Sequence, residues 1–500
     1  VISHPAVEEK VVLVYSVYMK NDKFEAVIGL EIHAQIATAS KMFCSCSGDS
    51  FGKEPNINTC PVCMGFPGQL PVINGEAVKK GIKAALALHC EIPSFSKFDR
   101  KNYFYPDLPK GFQISQFDQP ISQKGWVDIE VEGVKKRIRI TRLHLEDDAG
   151  KLSHVENGTL CDYNRSGVPL MEIVSEPDLR SAKEAGAYAK ALQTILRYVG
   201  ASEADMEKGM MRFDASVSIR LVGEEKLNSR AEIKNLNSFK SLEAAIEYEI
   251  ERQIFLRDEG NPLIKDITVG WTDDHQKTYF LRDKEGADDY RYFPEPDLPP
   301  LVVTADFIDE LRKEVPEMPS EKMMRYKNDW KISDAEALLM TSDAVMAKYF
   351  EKVVDLTKDP KKAATFITTI LVSRLKRDGL HISENKVTAE LLAKLINLVN
   401  ANKVSMNIAK SDDLFEVMYE SGRDPEEIVK EKGMVVVSDT GKLEEMCRKV
   451  LDSNPKSIED YGKGKKQAFF FLVGMVMKET KGQANAQSVT EIMEKLIRNP

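Results

Sequence analysis

No run of about 18 apolar residues occurs in the chain, so no helix is expected to span a membrane. Cysteine is scarce, with seven in 500 residues, too few for a disulfide framework. Cys44, Cys46, Cys60 and Cys63 sit together, while Cys90, Cys161 and Cys447 are scattered. That usage fits a reducing cytoplasm and one thiolate site. There is no surplus of positive charge either. A formal net charge of −9 argues against a surface that is basic throughout, as in many nucleic-acid binders, but leaves room for a local basic patch. A GxxxxGK[ST] loop, a kinase signature set and a fixed-period repeat are all missing, which removes the P-loop, protein-kinase and solenoid classes.

What is present is a soluble, globular composition, 42% hydrophobic and 30% charged, long enough for about two to four domains. The segment VISHPAVEEKVVLVYSVY precedes Met19. It has no basic start and no small-residue cleavage site, and Glu8 and Glu9 speak against a transit peptide. Residues 1–21 are therefore expected to be a dispensable leader, with the functional start at Met19.

From about residue 22 to 300, short alternating runs are separated by Gly, Pro and Asn turns, the pattern of half-buried strands. MRFDASVSIRL is the clearest: Met211, Phe213, Ala215, Val217, Ile219 and Leu221 alternate with polar residues, as in a sheet with one buried and one open face. VIGLEIHAQI reads the same way. Ile28, Leu30 and Ile32 point one way, and Glu31, His33 and Gln35 the other. Helices are predicted over Asn74–His89 and Ser181–Gly200, each with a polar residue ahead of an apolar periodic run, and a third after Ser241. The Pro-rich YFPEPDLPPL closes this part, and helical periods follow. The expected fold is α+β: a β-rich body over residues 22–315, then helical blocks over 316–425 and 426–500.

CSCSGDSFGKEPNINTCPVC holds Cys-x-Cys, thirteen residues, then Cys-x-x-Cys. Two thiolate pairs joined by such a loop can close tetrahedrally on zinc, and four protein ligands mark a structural rather than a catalytic ion. A redox dithiol needs only one pair, and unliganded cysteines are the other alternative. Elsewhere, charges sit inside apolar strands. In RIRITRLHLEDDAGK the apolar register changes at Thr141–Arg142, which suggests a bulge that re-aims His144 and Glu146. PLMEIVSEPD embeds Glu172, and RAEIKNLNS offers Glu232, Lys234 and Asn235. Carboxylates converging from neighbouring strands suit a divalent cation such as Mg²⁺, which typically also bridges phosphates. The competing reading is satisfied salt bridges or a solvated strand face. On these residues alone the chain is a zinc-stapled protein with an acidic cleft and no defined substrate.

VIGLEIHAQI, NYFYPDLPKGFQISQ, HLEDDAGK, DYNRSGVPLMEIVSEPD, AEIKNLNSF, DYRYFPEPDLPPL and GKGKKQAFFFLVGMVMKETKGQAN occur in this order from about Phe24 to the C-terminus. Together they resemble the B subunits of aspartyl/glutamyl-tRNA amidotransferases. The resemblance implies an antiparallel-sheet cradle domain (22–315), a helical domain (316–425) and a YqeY-like, tRNA-binding tail (426–500). It also implies a cytoplasmic heterotrimer completed by an amidase, the A subunit, and by a small C subunit. Such a complex amidates misacylated Glu-tRNA(Gln) and/or Asp-tRNA(Asn), with ATP activating the side-chain carboxylate and channelled ammonia displacing the phosphate. A carboxylate is a poor acyl donor until its oxygen is made a good leaving group, and the transfer then needs positioning and charge neutralisation.

Carried over residue by residue, the resemblance assigns Glu31, His33, Glu146 and Glu172 to catalysis and Mg²⁺. His is an unusual Mg²⁺ ligand, so His33 either ligates directly or acts through water. Lys101, Tyr103, Tyr105 and Lys110 are expected at the ATP or tRNA 3′ end, where aromatics stack on bases and lysines meet phosphates. A core aromatic cluster is the alternative for these. Lys463, Lys465, Lys466, Lys478 and Lys481 form the basic tract expected to meet the tRNA body, with a solvated helix face as the alternative. The chain departs from the family pattern at Phe213, where a cysteine is usual, and at Asp288, where a histidine is usual. Rival functions are a tRNA-binding scaffold without catalysis and an isolated zinc metallohydrolase. The retained Glu31, His33 and Glu146 speak against the first, and the lack of an open-site ligand set against the second.

Overall fold

The computed structural model describes residues 23–284, 287–434, 440–480, 484 and 486–498. The expected leader and Lys481 lie outside these residues. The chain divides into two compact units between Met318 and Pro319.

The first unit contains strands β1 (Phe24–Gln35), β2 (Phe95–Ser96), β3 (Asp99–Asn102), β4 (Phe112–Ser115), β5 (Ser122–Val131), β6 (Val134–Asp147), β7 (Lys151–Val155) and β8 (Gly158–Asp162). They are followed by β9 (Pro169–Ser175), β10 (Met211–Leu221), β11 (Ala231–Leu236), β12 (Ile267–Thr272), β13 (Lys277–Asp283), β14 (Phe293–Pro294) and β15 (Leu301–Val302). Eight of them make one sheet in the order β13-β12-β11-β10-β1-β9-β6-β5. Every neighbouring pair in it is antiparallel except β11 and β12. The order puts β1 in the middle, between β9 and β10, and β1 has the alternation a central strand of a one-sided sheet needs. Ile28, Leu30 and Ile32 are fully buried, while Gly29, Glu31, His33 and Gln35 on the other side are only half-buried.

Helices α1 (Gly75–Ala87), α2 (Ala182–Tyr198) and α3 (Phe239–Asp258) pack on the apolar face and share its core with α4 (Ala305–Glu314). Asn74 caps α1 by accepting the N–H groups of Glu76 and Ala77, and Ser181 caps α2 through Glu184. Each such cap is worth about 1 kcal/mol. Gly200, at φ +65°, follows α2 in the left-handed region. The third helix begins earlier than its sequence suggests. Ser238 is the cap, accepting from the Ser241 N–H, and Ser241 lies buried in the first turn with its hydroxyl donated to Asp273. Both serines suit a cap, and that tertiary contact decides between them. The bulge expected in β6 is present: the register against β9 shifts between Ile140 and Arg142. Ile138 and Ile140 face the core before it, and Leu143 and Leu145 after it.

In the second unit, helices run from Pro319–Asp329 to Ala486–Arg498, with no strand among the described residues. They surround two apolar clusters, one drawn from Tyr326 to Val429 and one from Leu443 to Leu496.

Candidate active site

The open face of the sheet places charged side chains in rows. Cross-strand partners run His144 opposite Glu172, Glu172 opposite His33, and His33 opposite Arg212, across β6, β9, β1 and β10. One step along, Glu31 stands opposite Asp214. The β6 bulge makes the first row possible. Were β6 to alternate regularly from Ile140 onward, without the bulge, His144 and Glu146 would point where Leu143 and Leu145 do.

Two sets of ligand atoms result, each with all its atoms within 4.8 Å of one another. His33, Glu146 and Glu172 form one, and Glu31, Asp214 and Glu232 the other. Glu31 therefore does not join His33, Glu146 and Glu172 as the sequence carry-over had it. Alternation gives the two residues a common face, but the strands that reach each of them differ, and only the register shows this. In the first set His33 Nε2 lies 3.3 Å from Glu172 and 3.9 Å from Glu146. The buried His144 backs the set, with its Nε2 3.3 Å from Glu172 and 3.6 Å from Glu146. Ser115 donates its hydroxyl to Glu146. Arg142 Nε–H donates to His144 Nδ1 at 3.3 Å, which calls for a neutral imidazole with its proton on Nε2. Burial disfavours charge on His144, but Glu172 and Glu146 outweigh it and hold its pKa up to about 9. A cation seated among the carboxylates relieves that pull and leaves the tautomer that Arg142 requires. His33 turns Nε2 to these carboxylates, while its Nδ1 is buried without a hydrogen-bond partner.

The second set is all oxygen, the donor chemistry Mg²⁺ prefers. Burial and the nearby Glu172 and Glu232 carboxylates push the Glu31 pKa up, the mark of crowded negative charge. Lys234 sits 2.7 Å from Asp214 and 3.5 Å from Glu232, and Lys284 3.3 Å from Glu232. Sequence reasoning left Asp214, Lys284, Arg212 and His144 out of the site. Asp214 and Arg212 stood on the polar side of the MRFDASVSIRL alternation, but nothing local says which strand lies beside them.

Of the residues expected at a nucleotide or tRNA end, Lys101 and Tyr103 lie near the first set. Burial disfavours charge on Lys101, but the Glu146 and Glu172 carboxylates favour its charged form. Its ammonium lies 4.8 Å from the Tyr290 ring centre and 5.8 Å from that of Tyr103. Tyr105 is exposed. Lys110 is bound to Asp147, with its side chain 9% exposed. It lines a cavity of about 230 Å³ shared with Cys44, Cys63, Phe66, Arg100 and Glu295, in which Arg100 makes a two-pronged pair with Glu295 at 2.7 and 2.8 Å.

Cys44, Cys46, Cys60 and Cys63 converge within 4.8 Å and can hold a structural metal ion. Hydrogen bonding from Cys44 brings Cys63 down to about 4, while burial pushes Cys46 up to about 11. Four thiols in one place need a cation to ionise together. The Lys41 ammonium, 3.6 Å from Cys63 Sγ and 2.8 Å from the Asn58 carbonyl, ties the cluster to the body.

In the tail, Lys463, Lys465, Lys466 and Lys478 are exposed. Lys463 pairs with Glu459 and Lys465 with Asp460. Phe470 and Phe471 stand out beside them, 68% and 53% exposed. No helix of the described residues is long and apolar enough to cross a membrane.

The GatB/GatE catalytic domain family matches residues 26–309, and a GatB domain family matches residues 348–497. Among curated proteins, the chain is 48% identical over 472 residues to the B subunit of the aspartyl/glutamyl-tRNA(Asn/Gln) amidotransferase of Caldanaerobacter subterraneus subsp. tengcongensis, covering 94% of this chain and 98% of that protein. The protein of the same name from Carboxydothermus hydrogenoformans is 46% identical over 476 residues, with the same coverage. That of Persephonella marina is 46% identical over 477 residues, covering 95% of this chain and all of its own length.

Proposed function

From the premise that this chain belongs to the GatB/GatE family of tRNA amidotransferase B subunits, we propose that it works as the B subunit of an ATP-dependent ligase. That complex turns misacylated Glu-tRNA(Gln) and/or Asp-tRNA(Asn) into Gln-tRNA(Gln) and/or Asn-tRNA(Asn) for translation. The observation that carries this reading is the convergence of His33, Glu146 and Glu172 beside Glu31, Asp214 and Glu232 on one open sheet face. Bound Mg²⁺ would offset the negative charge of ATP phosphates and of the attacking carboxylate. The first set would hold one ion, with His33 Nε2 as a direct ligand, and the second set another.

The chain's own residues do the rest. His144 orients Glu146 and Glu172 through Nε2 and is itself turned by Arg142. Lys101, among Tyr103, Tyr290 and Tyr292, offers a cation to phosphate next to rings on which a base can stack. The cavity lined by Arg100, Lys110 and Glu295 reaches Asp147, the neighbour of Glu146, and would let ammonia from the amidase partner approach the substrate's activated carboxyl group, where it would displace phosphate. The cysteine set would hold Zn²⁺ as a staple. Residues 22–315 would form the cradle, 316–425 the helical domain and 426–500 the YqeY-like tail. Lys466 and Lys478 would meet the tRNA body, with Lys463 and Lys465 released from their acidic neighbours. The amidase (the A subunit) and a small C subunit would complete a cytoplasmic heterotrimer.

The test is reconstitution of the chain with its two partner subunits, Glu-tRNA(Gln), glutamine and Mg-ATP. Gln-tRNA(Gln) should form, and Glu146→Ala should abolish it. Full transamidation by the Glu146→Ala complex would reject the site. A scaffold role predicts that Glu146→Ala is silent.

A further inference from the structure

We propose that Arg212, seated on Asp148, receives the side-chain carboxylate of the aminoacyl substrate. The assignment rests on the amidotransferase reading and adds a substrate-contacting residue to it.

Arg212 ends the cross-strand row on the sheet face, directly opposite His33 on the neighbouring strand. Its anchor is fully withdrawn from solvent: the Asp148 side chain is 0% exposed, whereas that of Arg212 is 34% exposed. Asp148 Oδ1 accepts from both Nη1 and Nη2 of Arg212 at 3.2 Å and from the Ala149 N–H at 2.9 Å. Its Oδ2 accepts from Gln35 Nε2 at 3.1 Å and lies 3.5 Å from Arg165 Nε. Arg165 makes its other contacts to the carbonyls of Ala149 and Gly150. One buried carboxylate thus bonds two guanidiniums directly, with Asp107 a more distant acid to both, and of the two guanidiniums it is that of Arg212 that lies on the cleft face, opposite His33.

Of the other cations at the cleft, Lys234 is held by Asp214 and Glu232, Lys284 by Glu232 and Lys110 by Asp147, while Lys101, beside Glu146 and Glu172, is the one placed for phosphate. Asp214 and Glu146, the acids nearest in charge to Arg212 after Asp148, belong to the two cation-ligand sets. A substrate carboxylate approaching an acid-lined floor needs a positive group that those sets do not consume. A guanidinium fork meets a carboxylate through two parallel N–H donors, which an ammonium cannot do. Anchoring both Nη atoms on one side fixes the plane of the fork and leaves Nε and the outer N–H groups to the cleft. The product amide carries no charge and gains less from this contact, so the clamp favours substrate over product.

The assembled three-subunit complex tests this with R212A, R212K and D148N. R212A should raise KM for Glu-tRNA(Gln) about 100-fold, the usual cost of stripping a charge from a desolvated pair, while KM for ATP stays within about 2-fold. Equilibrium binding should show the preference for Glu-tRNA(Gln) over Gln-tRNA(Gln) lost in R212A, and added guanidinium ion should restore part of the rate. R212K should recover only part of the affinity. D148N, which frees the fork without removing it, should move KM for Glu-tRNA(Gln) in the same direction by less. A wild-type KM for Glu-tRNA(Gln) in R212A, or an equal rise in KM for ATP, overturns the clamp while the amidotransferase reading stands. Should R212A not fold, an unchanged KM in D148N overturns it in the same way. A wild-type complex that makes no Gln-tRNA(Gln) overturns the reading and the clamp together.

Discussion

Glu31 and His33 lie two residues apart on the same face of one strand, yet they belong to different ligand sets. His33 turns to Glu172 at 3.3 Å on one neighbouring strand, and Glu31 stands opposite Asp214 on the other. A central strand divides what its own alternation unites.

Two ion sites on one face should be countable. With Mn²⁺ in place of Mg²⁺, electron paramagnetic resonance titration should find two ions per chain in the wild type. It should find one after Asp214→Asn, and one after Glu172→Gln. A single site that only Glu172→Gln removes would show that Lys234 and Lys284 already neutralise the Asp214 set.

Removing the cysteine-bound ion should loosen the loop without unfolding the sheet. Elemental analysis should find zinc in the purified chain, and Cys63→Ser should lose it. Scanning calorimetry should then place the first transition several degrees lower, because closing that loop no longer draws on metal-ligand bonds. Unchanged melting with full loss of zinc would reject a staple.

Glu351 binds the second unit together in an acid-sensitive way. Its Oε1 accepts from Lys322 at 2.5 Å, Arg325 at 2.5 Å and the Tyr326 hydroxyl at 2.9 Å. Burial opposes its charge, but these three donors outweigh it and lower its pKa. A depressed carboxylate stabilises above its unfolded pKa and loses that contribution as pH falls through the folded value. Urea midpoints of the wild type should therefore fall between about pH 5 and pH 3 more steeply than those of Glu351→Gln. The variant itself should cost about 1 kcal/mol near neutrality, since the group is part-exposed.

Phe213 closes the core side of β10 beneath the start of α3. Its ring is fully buried and lies 5.6 Å from that of Phe239. Phe213→Cys should cost about 2–4 kcal/mol by leaving a cavity that the first turn of α3 cannot fill. Chemical denaturation will measure it, and a neutral result would mean that α3 settles onto the sheet.

If the tail meets tRNA, Lys466→Glu with Lys478→Glu should weaken tRNA binding and flatten its salt dependence by about one to two units of log–log slope. Filter binding across a salt series reads this directly. An unchanged slope would assign both lysines to solvent.

Much of this was legible in the chain itself. The alternation in VIGLEIHAQI and MRFDASVSIRL gave the buried face of both strands, and the break at Thr141–Arg142 gave the bulge. Four cysteines at short spacing gave a ligand cluster. Partnership across strands was not legible, because side-chain period says which way a residue points and nothing about which strand lies beside it. Hence Asp214 was left outside the site, and Glu31 was grouped with the carboxylates of the neighbouring set. Lys110 looked like a free cation because its acidic partner, Asp147, is 37 residues away in the chain.

The extra residue in β6 makes the active face a matter of parity. Before it, even-numbered positions are core; after it, odd-numbered ones are. The fold thus absorbs the extra residue without depending on its side chain: deleting Thr141 alone would leave Ile140, Arg142, Leu143 and His144 in plain alternation, with Leu143 and Leu145 still in the core and His144 and Glu146 still on the cleft side.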